Sequence, residues 1–414
     1  MERVQVLFEN GQNTFYCGQY VNGHVSLQLD VPTRLRAITL RVSGTAECKW
    51  EEWIHKRSPQ KQLRRASLQQ NQHPPHEMKV FKSNELYFEY KIALLPASPN
   101  DPLLEAGEHK YPFHFNLPHN IPSSFEGHFG YVRYMACCKV DKPCARDHES
   151  KTLFTIICPL DLNRFPHLSI QADASDVKKF WGLFRRSKPT TVILRLPESG
   201  IVPGQLINPN IDIENNSDVR INQVKLSLVM NSVFTAMGVK KMDKKVILES
   251  HLGAVEPKQS RTWFRGIFIQ VPAVPPSGLS NCTLIDVSYK LKLVAEPERP
   301  HLNINVSLPL TVGTIPFQSH FGSFNAANNG IIPPVGWNNP EPSAPSDSMP
   351  EPPESTDASY YSSMPPPSYE ESVASGEYLE IHASQAFSPR YPVYSSLPLP
   401  PEFIQDNIPV TIKE

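Results

Sequence analysis

Four consecutive residues near the carboxyl end, Pro366-Pro367-Ser368-Tyr369, have the types and spacing of a peptide ligand. Polyproline II repeats every three residues, so Pro366 and Tyr369 project from one side and can enter neighbouring aromatic-lined grooves of a WW domain. Pro365 lengthens the run, and Ser362, Ser363, Glu370 and Glu371 are expected to keep it soluble and exposed. A degraded second copy follows in Ser388-Pro389-Arg390-Tyr391-Pro392-Val393-Tyr394, where each tyrosine keeps one of its two prolines. Pro389, Tyr391, Pro392 and Tyr394 are candidate auxiliary WW contacts, the alternative being plain solvated tail.

Three other groups of residues could bind a partner. Pro342-Ser343-Ala344-Pro345 fits the short extended peptide taken by the ubiquitin-variant domain of the ESCRT-I complex, and a four-residue match is a small signal. Tyr378 and Tyr394 each begin a Tyr-x-x-apolar sorting pattern, which arises easily by accident. Between Lys178 and Lys188 five cations surround four large apolar side chains. Lys178, Lys179, Phe180, Trp181, Phe184, Arg185 and Arg186 could therefore lie in a bilayer interface, rings in the headgroup layer and cations on anionic lipid. The alternative is an interdomain linker whose Phe180, Trp181 and Phe184 plug the domain contact.

No Gly-x-Ser-x-Gly elbow, His-Glu-x-x-His, Walker loop or Gly-x-Gly-x-x-Gly motif is present, and the chain is expected to be no enzyme. The seven cysteines lack the paired spacing of zinc ligands, so neither metal nor cofactor is expected, and they read as reduced thiols. No apolar run approaches a membrane span and the start Met1-Glu2-Arg3-Val4 has no apolar signal region, so a cytoplasmic location is expected.

The elements that position these motifs are strands. Residues 23–29, 37–42, 85–94, 111–117, 191–196, 210–213, 223–229, 245–248, 267–271, 286–294 and 303–312 alternate apolar and polar side chains or run apolar between turn signals. No comparable stretch carries a 3.6-residue stripe, so an all-β fold of antiparallel sandwiches is expected. With 414 residues the chain exceeds one growing core, and two domains plus extra segments follow. After His320 two basic residues face twelve acidic ones, and 17 of the 42 prolines fall there, so this tail should not fold alone. The first 320 residues then carry 38 basic against 29 acidic side chains, a net +9. Acidic receptor tails or anionic lipid suit that charge; nucleic acid does not, because no recognition motif accompanies it. The basic, Gln-rich stretch 56–76 reads as a long solvated hairpin loop.

The two halves repeat one another in order. Tyr20-Val21-Asn22-Gly23 resembles Ile201-Val202-Pro203-Gly204, and Leu117-Pro118 through Pro122-Ser123 resembles Val271-Pro272 through Pro276-Ser277. Val132-Arg133-Tyr134 then pairs with Val287-Ser288-Tyr289, as expected of a duplicated sandwich with a boundary near 166–190.

Ser123-Ser124-Phe125-Glu126-Gly127 followed by Gly130-Tyr131-Val132-Arg133-Tyr134, with Tyr111 to Pro118 upstream and Ile201 to Gly204 opening the second half, resembles the α-arrestins, the arrestin domain-containing proteins. The resemblance implies two tandem arrestin-like immunoglobulin-type sandwiches, residues 1–165 and 190–315, joined by a basic and aromatic linker, 166–189. A disordered acidic Pro-rich tail, 316–414, follows. It also implies a non-enzymatic adaptor at the plasma membrane and endosomes that brings WW-domain HECT ubiquitin ligases to receptor or transporter cargo through Pro366, Pro367 and Tyr369, promoting endocytosis. A retromer-type coat or sorting subunit, acting by stable assembly, is the alternative on the same fold.

Overall fold

The computed structural model describes residues 3–55, 76–98, 100–143, 147–181, 187–264, 266–321, 367–375 and 387–395. The first domain contains β1 (Arg3–Phe8), β2 (Thr14–Tyr16), β3 (Tyr20–Leu29), β4 (Thr33–Arg34), β5 (Ala37–His55), β6 (His76–Leu95), β7 (Leu103–Leu104), β8 (Gly107–Asn116), β9 (Phe125–Gly127), β10 (Gly130–Asp141) and β11 (His148–Ile157). One sheet runs β1-β3-β8 and the other β2-β11-β10-β5-β6, with β9 on β10. Their inward faces supply the core: Val25 and Leu27 of β3, Leu40 and Val42 of β5, and Val132, Tyr134 and Ala136 of β10 are buried, while Arg41 points out. Alternation of this kind fixes register, since a slip of one residue would turn the whole apolar set toward water. The β5–β6 ladder extends to His55↔His76, so the basic stretch does close a long hairpin; its loop, 56–75, lies outside the described residues.

The second domain contains β12 (Ala172–Lys178), β13 (Thr190–Leu196), β14 (Gly200–Ile201), β15 (Leu206–Ile207), β16 (Asn210–Asn215), β17 (Ile221–Ala236), β18 (Val239–Val255), β19 (Gln259–Trp263), β20 (Ile269–Gln270), β21 (Ile285–Pro297) and β22 (Ile304–Val312). Its sheets run β12-β13-β16-β19 and β14-β22-β21-β17-β18. The second order repeats β2-β11-β10-β5-β6 of the first domain, down to a parallel pair at one edge, β2 with β11 and β14 with β22. Among the described residues there is no α-helix, only short 3-10 turns. The all-β expectation is met.

The hydrogen bonds correct the alignment of the halves. In the first domain the Gln19 side chain accepts from Tyr16 N at 2.9 Å, and Leu117 N donates to Gln19 O at 3.0 Å. In the second the Gln205 side chain accepts from Val202 N at 3.0 Å, and Val271 N donates to Gln205 O at 2.9 Å. The true counterpart of Val202-Pro203-Gly204-Gln205 is thus Tyr16-Cys17-Gly18-Gln19, not the Gly23 segment. Gly18 and Gly204 both take positive φ, 80° and 88°, as this turn requires. Gly23, by contrast, lies in the middle of β3, its Cα paired with Phe8 and Phe113. The proline-rich link is one residue shorter in the second half, since Ser124 and Ser277 make the same reciprocal pair of bonds to Ile156 and Val312.

The expected linker 166–189 is partly sheet. Strand β12 pairs along its length with β13 and packs only the small, half-buried Ala172 and Ala174 against the core, too little apolar contrast to be read as a strand from the sequence. The folded body also runs past 315: Phe317 is buried and a 3-10 turn covers Gln318–Phe321. The two sandwiches share one apolar core, in which Phe234 of β17 packs on Phe125 and Phe129 at ring distances of 6.2 and 5.7 Å. A polar clasp lies beside it, where Leu160 N donates to Thr314 Oγ1 at 2.7 Å and Thr314 N to Leu160 O at 2.9 Å.

Candidate functional site

Two tail segments fold onto the seam between the sandwiches. β23 (Ser368–Glu371) and β24 (Arg390–Val393) form an antiparallel pair with Tyr369 opposite Pro392. A two-stranded ribbon is marginal by itself in water. This one is held by the body at both ends. From the first domain, Ser124 O accepts the Tyr391 hydroxyl at 2.8 Å, Thr155 Oγ1 accepts Arg390 N at 3.2 Å, and the Tyr16 and Tyr369 hydroxyls lie 2.7 Å apart. From the second, Thr314 O accepts the Tyr394 hydroxyl at 2.7 Å, Pro203 O accepts Tyr394 N at 2.9 Å, and Ala273 O accepts Val373 N at 3.0 Å.

The groove uses the repeated turns as its two walls. Tyr369 meets the first turn at Tyr16, and Tyr394 crosses the second at Gly204, where an added Cβ would come within 2.5 Å of the Tyr394 carbonyl oxygen. Tyr391 and Tyr394 are 1% and 2% exposed, so each ring is removed from water with its hydroxyl satisfied. Burial pushes the Tyr391 phenol well above its ordinary value, and the Glu126 carboxylate adds to the push. Tyr369 is raised in the same direction by burial. Both phenols therefore stay neutral at physiological pH, and Tyr391 donates.

Glu126, fully buried, is gripped by Arg133, whose Nε and Nη2 donate to its two carboxylate oxygens at 2.6 and 2.9 Å. Arg133 also stacks 4.0 Å from the Tyr131 ring centre. Desolvation pushes the Glu126 carboxyl up while the two Arg133 bonds pull it down. The pair sits in the Ser-Phe-Glu-Gly and Val-Arg-Tyr stretches from which the family resemblance was drawn, and those stretches prove to be structural.

These positions correct several expectations. Pro367 is buried and Tyr369 is a half-buried strand residue, where an exposed polyproline ribbon was expected; Pro366 lies outside the described residues. Pro389, Tyr391, Pro392 and Tyr394 are all buried, so in this arrangement they are anchors for the body and are not available to a WW domain. The same burial removes Tyr394 as an exposed sorting signal. The tail is consequently not unpacked throughout 316–414, because 367–375 and 387–395 find on the body the apolar cover that the tail cannot supply to itself. Pro342, Ser343, Ala344, Pro345 and Tyr378 lie outside the described residues.

Among the described residues of the expected membrane cluster, Lys178 to Trp181, the side chains do not form one surface. Phe180 is 2% exposed and packs on His301 at 5.0 Å, while Lys178 Nζ donates to Leu302 O and Asn303 O at 2.9 and 3.0 Å. Those contacts belong to the β21–β22 connection, so Phe180 plugs the second sandwich and not the domain contact. Lys179 and Trp181 are exposed, Trp181 at 71%, and Phe184, Arg185 and Arg186 lie outside the described residues. Reasoning from sequence did not find Tyr16, Ser124, Thr155, Gly204 or Thr314 as groove residues. One signal was present: an aromatic, proline-bearing Tyr-Pro-x-Tyr within an otherwise polar acidic tail, a pattern that burial explains better than a worn WW motif.

Comparison with known proteins agrees with this architecture. Residues 4–163 match the family described as arrestin (or S-antigen), N-terminal domain, and residues 186–317 match arrestin (or S-antigen), C-terminal domain. The chain is 25% identical to arrestin domain-containing protein 17 of Caenorhabditis elegans across 95% of its own length and 99% of that protein. It is 30% identical to arrestin domain-containing protein 1 of Mus musculus, over 76% of this chain and 65% of that one. With arrestin domain-containing protein 4 of Homo sapiens the identity is 27%, over 79% and 74%.

Proposed function

Since the chain belongs to the arrestin domain-containing family, the α-arrestins, we propose that it is an adaptor linking membrane cargo to WW-domain HECT ubiquitin ligases. The observation that carries this reading is Pro366-Pro367-Ser368-Tyr369 standing after two arrestin sandwiches on the same chain. The chain does no chemistry itself. Its sandwiches, with their +9 charge, hold an acidic cargo segment or lie against anionic membrane, and a ligase bound at the tail meets cargo lysines at raised local concentration. Ubiquitination then commits the cargo to endocytosis and endosomal sorting, with Pro342-Ser343-Ala344-Pro345 as the contact to ESCRT-I. The working place of such a chain is the cytoplasmic face of the plasma membrane and endosomes.

The test is direct. A peptide of residues 362–373 is titrated against the WW domains of a HECT ligase, alongside the same peptide carrying Tyr369→Ala. Binding by the first and at least a tenfold loss in the second are expected, since the tyrosine fills one of the two grooves. Absence of binding by the unsubstituted peptide overturns the ligase reading.

A further inference from the structure

We propose that the seam between the sandwiches is a peptide groove for an extended Tyr-Pro-x-Tyr segment, occupied by the chain's own Arg390–Tyr394, and that this occupancy masks Tyr369 from WW domains. The proposal rests on the ligase reading above for what is masked, and on the groove alone for how.

The groove is built for a particular ligand shape. Its acceptors for the two phenols, Ser124 O and Thr314 O, come from different domains, and the strand between them leaves Tyr391 and Tyr394 three residues apart to span the seam. Pro392 between them has no N–H, so no backbone donor is left unsatisfied at that position where β24 faces the groove instead of a neighbouring strand. Tyr394 N is bound by Pro203 O and Arg390 N by Thr155 Oγ1, so main-chain polarity is met at both ends of the segment. Main-chain bonds at the ends with deep side-chain pockets between them are the ordinary means of holding an extended peptide.

Masking follows from geometry. A WW domain requires Tyr369 in the threefold polyproline II conformation with its ring free to enter a groove. Here Tyr369 lies in a strand of period two, paired with Pro392, its hydroxyl against Tyr16 and the preceding Pro367 buried. One ring cannot occupy both places. The turn after β23 adds further ties, from Val373 N to Ala273 O and from Lys245 Nζ to Ala374 O at 3.1 Å. Closed and open chains are then in competition, and the apparent WW affinity is the intrinsic one multiplied by the open fraction. Any extended peptide that displaces Tyr391 and Tyr394 raises that fraction, which couples filling of the groove to exposure of the ligase motif.

The experiment titrates the WW domains of a HECT ligase against the 362–373 peptide, the full chain, and the full chain carrying Tyr391→Ala and Tyr394→Ala. The full chain should bind at least about tenfold more weakly than the peptide, and the double variant should recover to within about twofold of it. An excess of a peptide of residues 387–396 added in trans should tighten binding by the unsubstituted full chain. Tyr16→Phe, which leaves the groove and tail otherwise intact, should give a smaller gain in the same direction. Equal affinity of peptide and full chain overturns the proposal, and so does a weak full chain that the double variant fails to restore. Amide exchange at Val373 and Tyr394 reads the latch without any WW domain: both should be protected in the full chain and lose protection in the double variant. If the 362–373 peptide itself does not bind, the ligase reading fails while protected amides still uphold the groove; unprotected amides overturn the groove.

Discussion

Tyr289 repeats the role of Tyr134: each phenol lies buried in its own sandwich and donates to a carbonyl in the proline-bearing segment of that domain, Pro275 O at 2.7 Å and Pro122 O at 2.5 Å. The two bonds mark equivalent places in the duplicated fold and pin the link that leads to Ser124 in one half and Ser277 in the other. Because Ser124 O is the acceptor for Tyr391, the Tyr134–Pro122 bond also supports one wall of the tail groove.

Removing either phenol hydroxyl leaves a buried carbonyl without its partner. Tyr134→Phe and Tyr289→Phe should each lower stability by about 1–3 kcal/mol, read from urea unfolding followed by fluorescence. No change in both variants would mean that the tyrosines contribute only ring packing.

The Glu126–Arg133 pair should behave as a unit. Arg133→Met leaves a buried carboxylate uncompensated and should cost about 3–5 kcal/mol, whereas Glu126→Gln combined with Arg133→Met should cost distinctly less. The pH dependence has a definite sign. With Arg133 gone, burial alone acts on Glu126 and raises its folded-state pKa above the unfolded value. The penalty is then present above the folded pKa and fades as pH falls toward the unfolded pKa, so the deficit of the single variant relative to the double should shrink from pH 7.5 to pH 5. A deficit that grows on acidification contradicts this account.

Gly204 should control the tail more than the body. An alanine there brings its Cβ against the Tyr394 backbone and also sits at φ 88°, a region L side chains rarely adopt. Gly204→Ala should therefore speed amide exchange across 390–395 with a smaller effect on β10 and β21. Unchanged exchange in the tail would show that Tyr394 does not depend on the close approach.

Thiol reactivity should rank the cysteines. Burial pushes Cys48 and Cys138 up to about 12, while a hydrogen bond from the Cys158 thiol holds Cys17 below its usual value. Alkylation needs the thiolate. With iodoacetamide at pH 8, mass spectrometry should find Cys17 modified before Cys48 and Cys138, which stay unmodified until urea is added. Early modification of Cys48 would indicate that the shared core between the domains opens readily.

Much of the body was legible beforehand because its code is local. Alternation in residues 37–42 and 286–294 needs only neighbouring side chains to reveal a strand with one face inside, and β5 and β21 lie there. Strand β12 was invisible, since an edge strand packing only the half-buried Ala172 and Ala174 against the core carries almost no contrast. The halves were aligned on the wrong glycine because Tyr20 to Gly23 and Ile201 to Gly204 are alike in type, and only the hydrogen bonds of Gln19 and Gln205 show which turn is which.

The sequence by itself determined the all-β class, the duplication and the presence of a WW-type tyrosine motif, each a matter of residue type and short spacing. Tertiary structure alone decided where the tail lies. Tyr391 finds Ser124 across 267 positions and Tyr369 finds Tyr16 across 353. The Tyr-Pro-x-Tyr pattern signals that part of the tail is buried, but not where: the complementary surface exists only after two sandwiches have folded and met, assembled from turns and carbonyls whose positions no local pattern specifies.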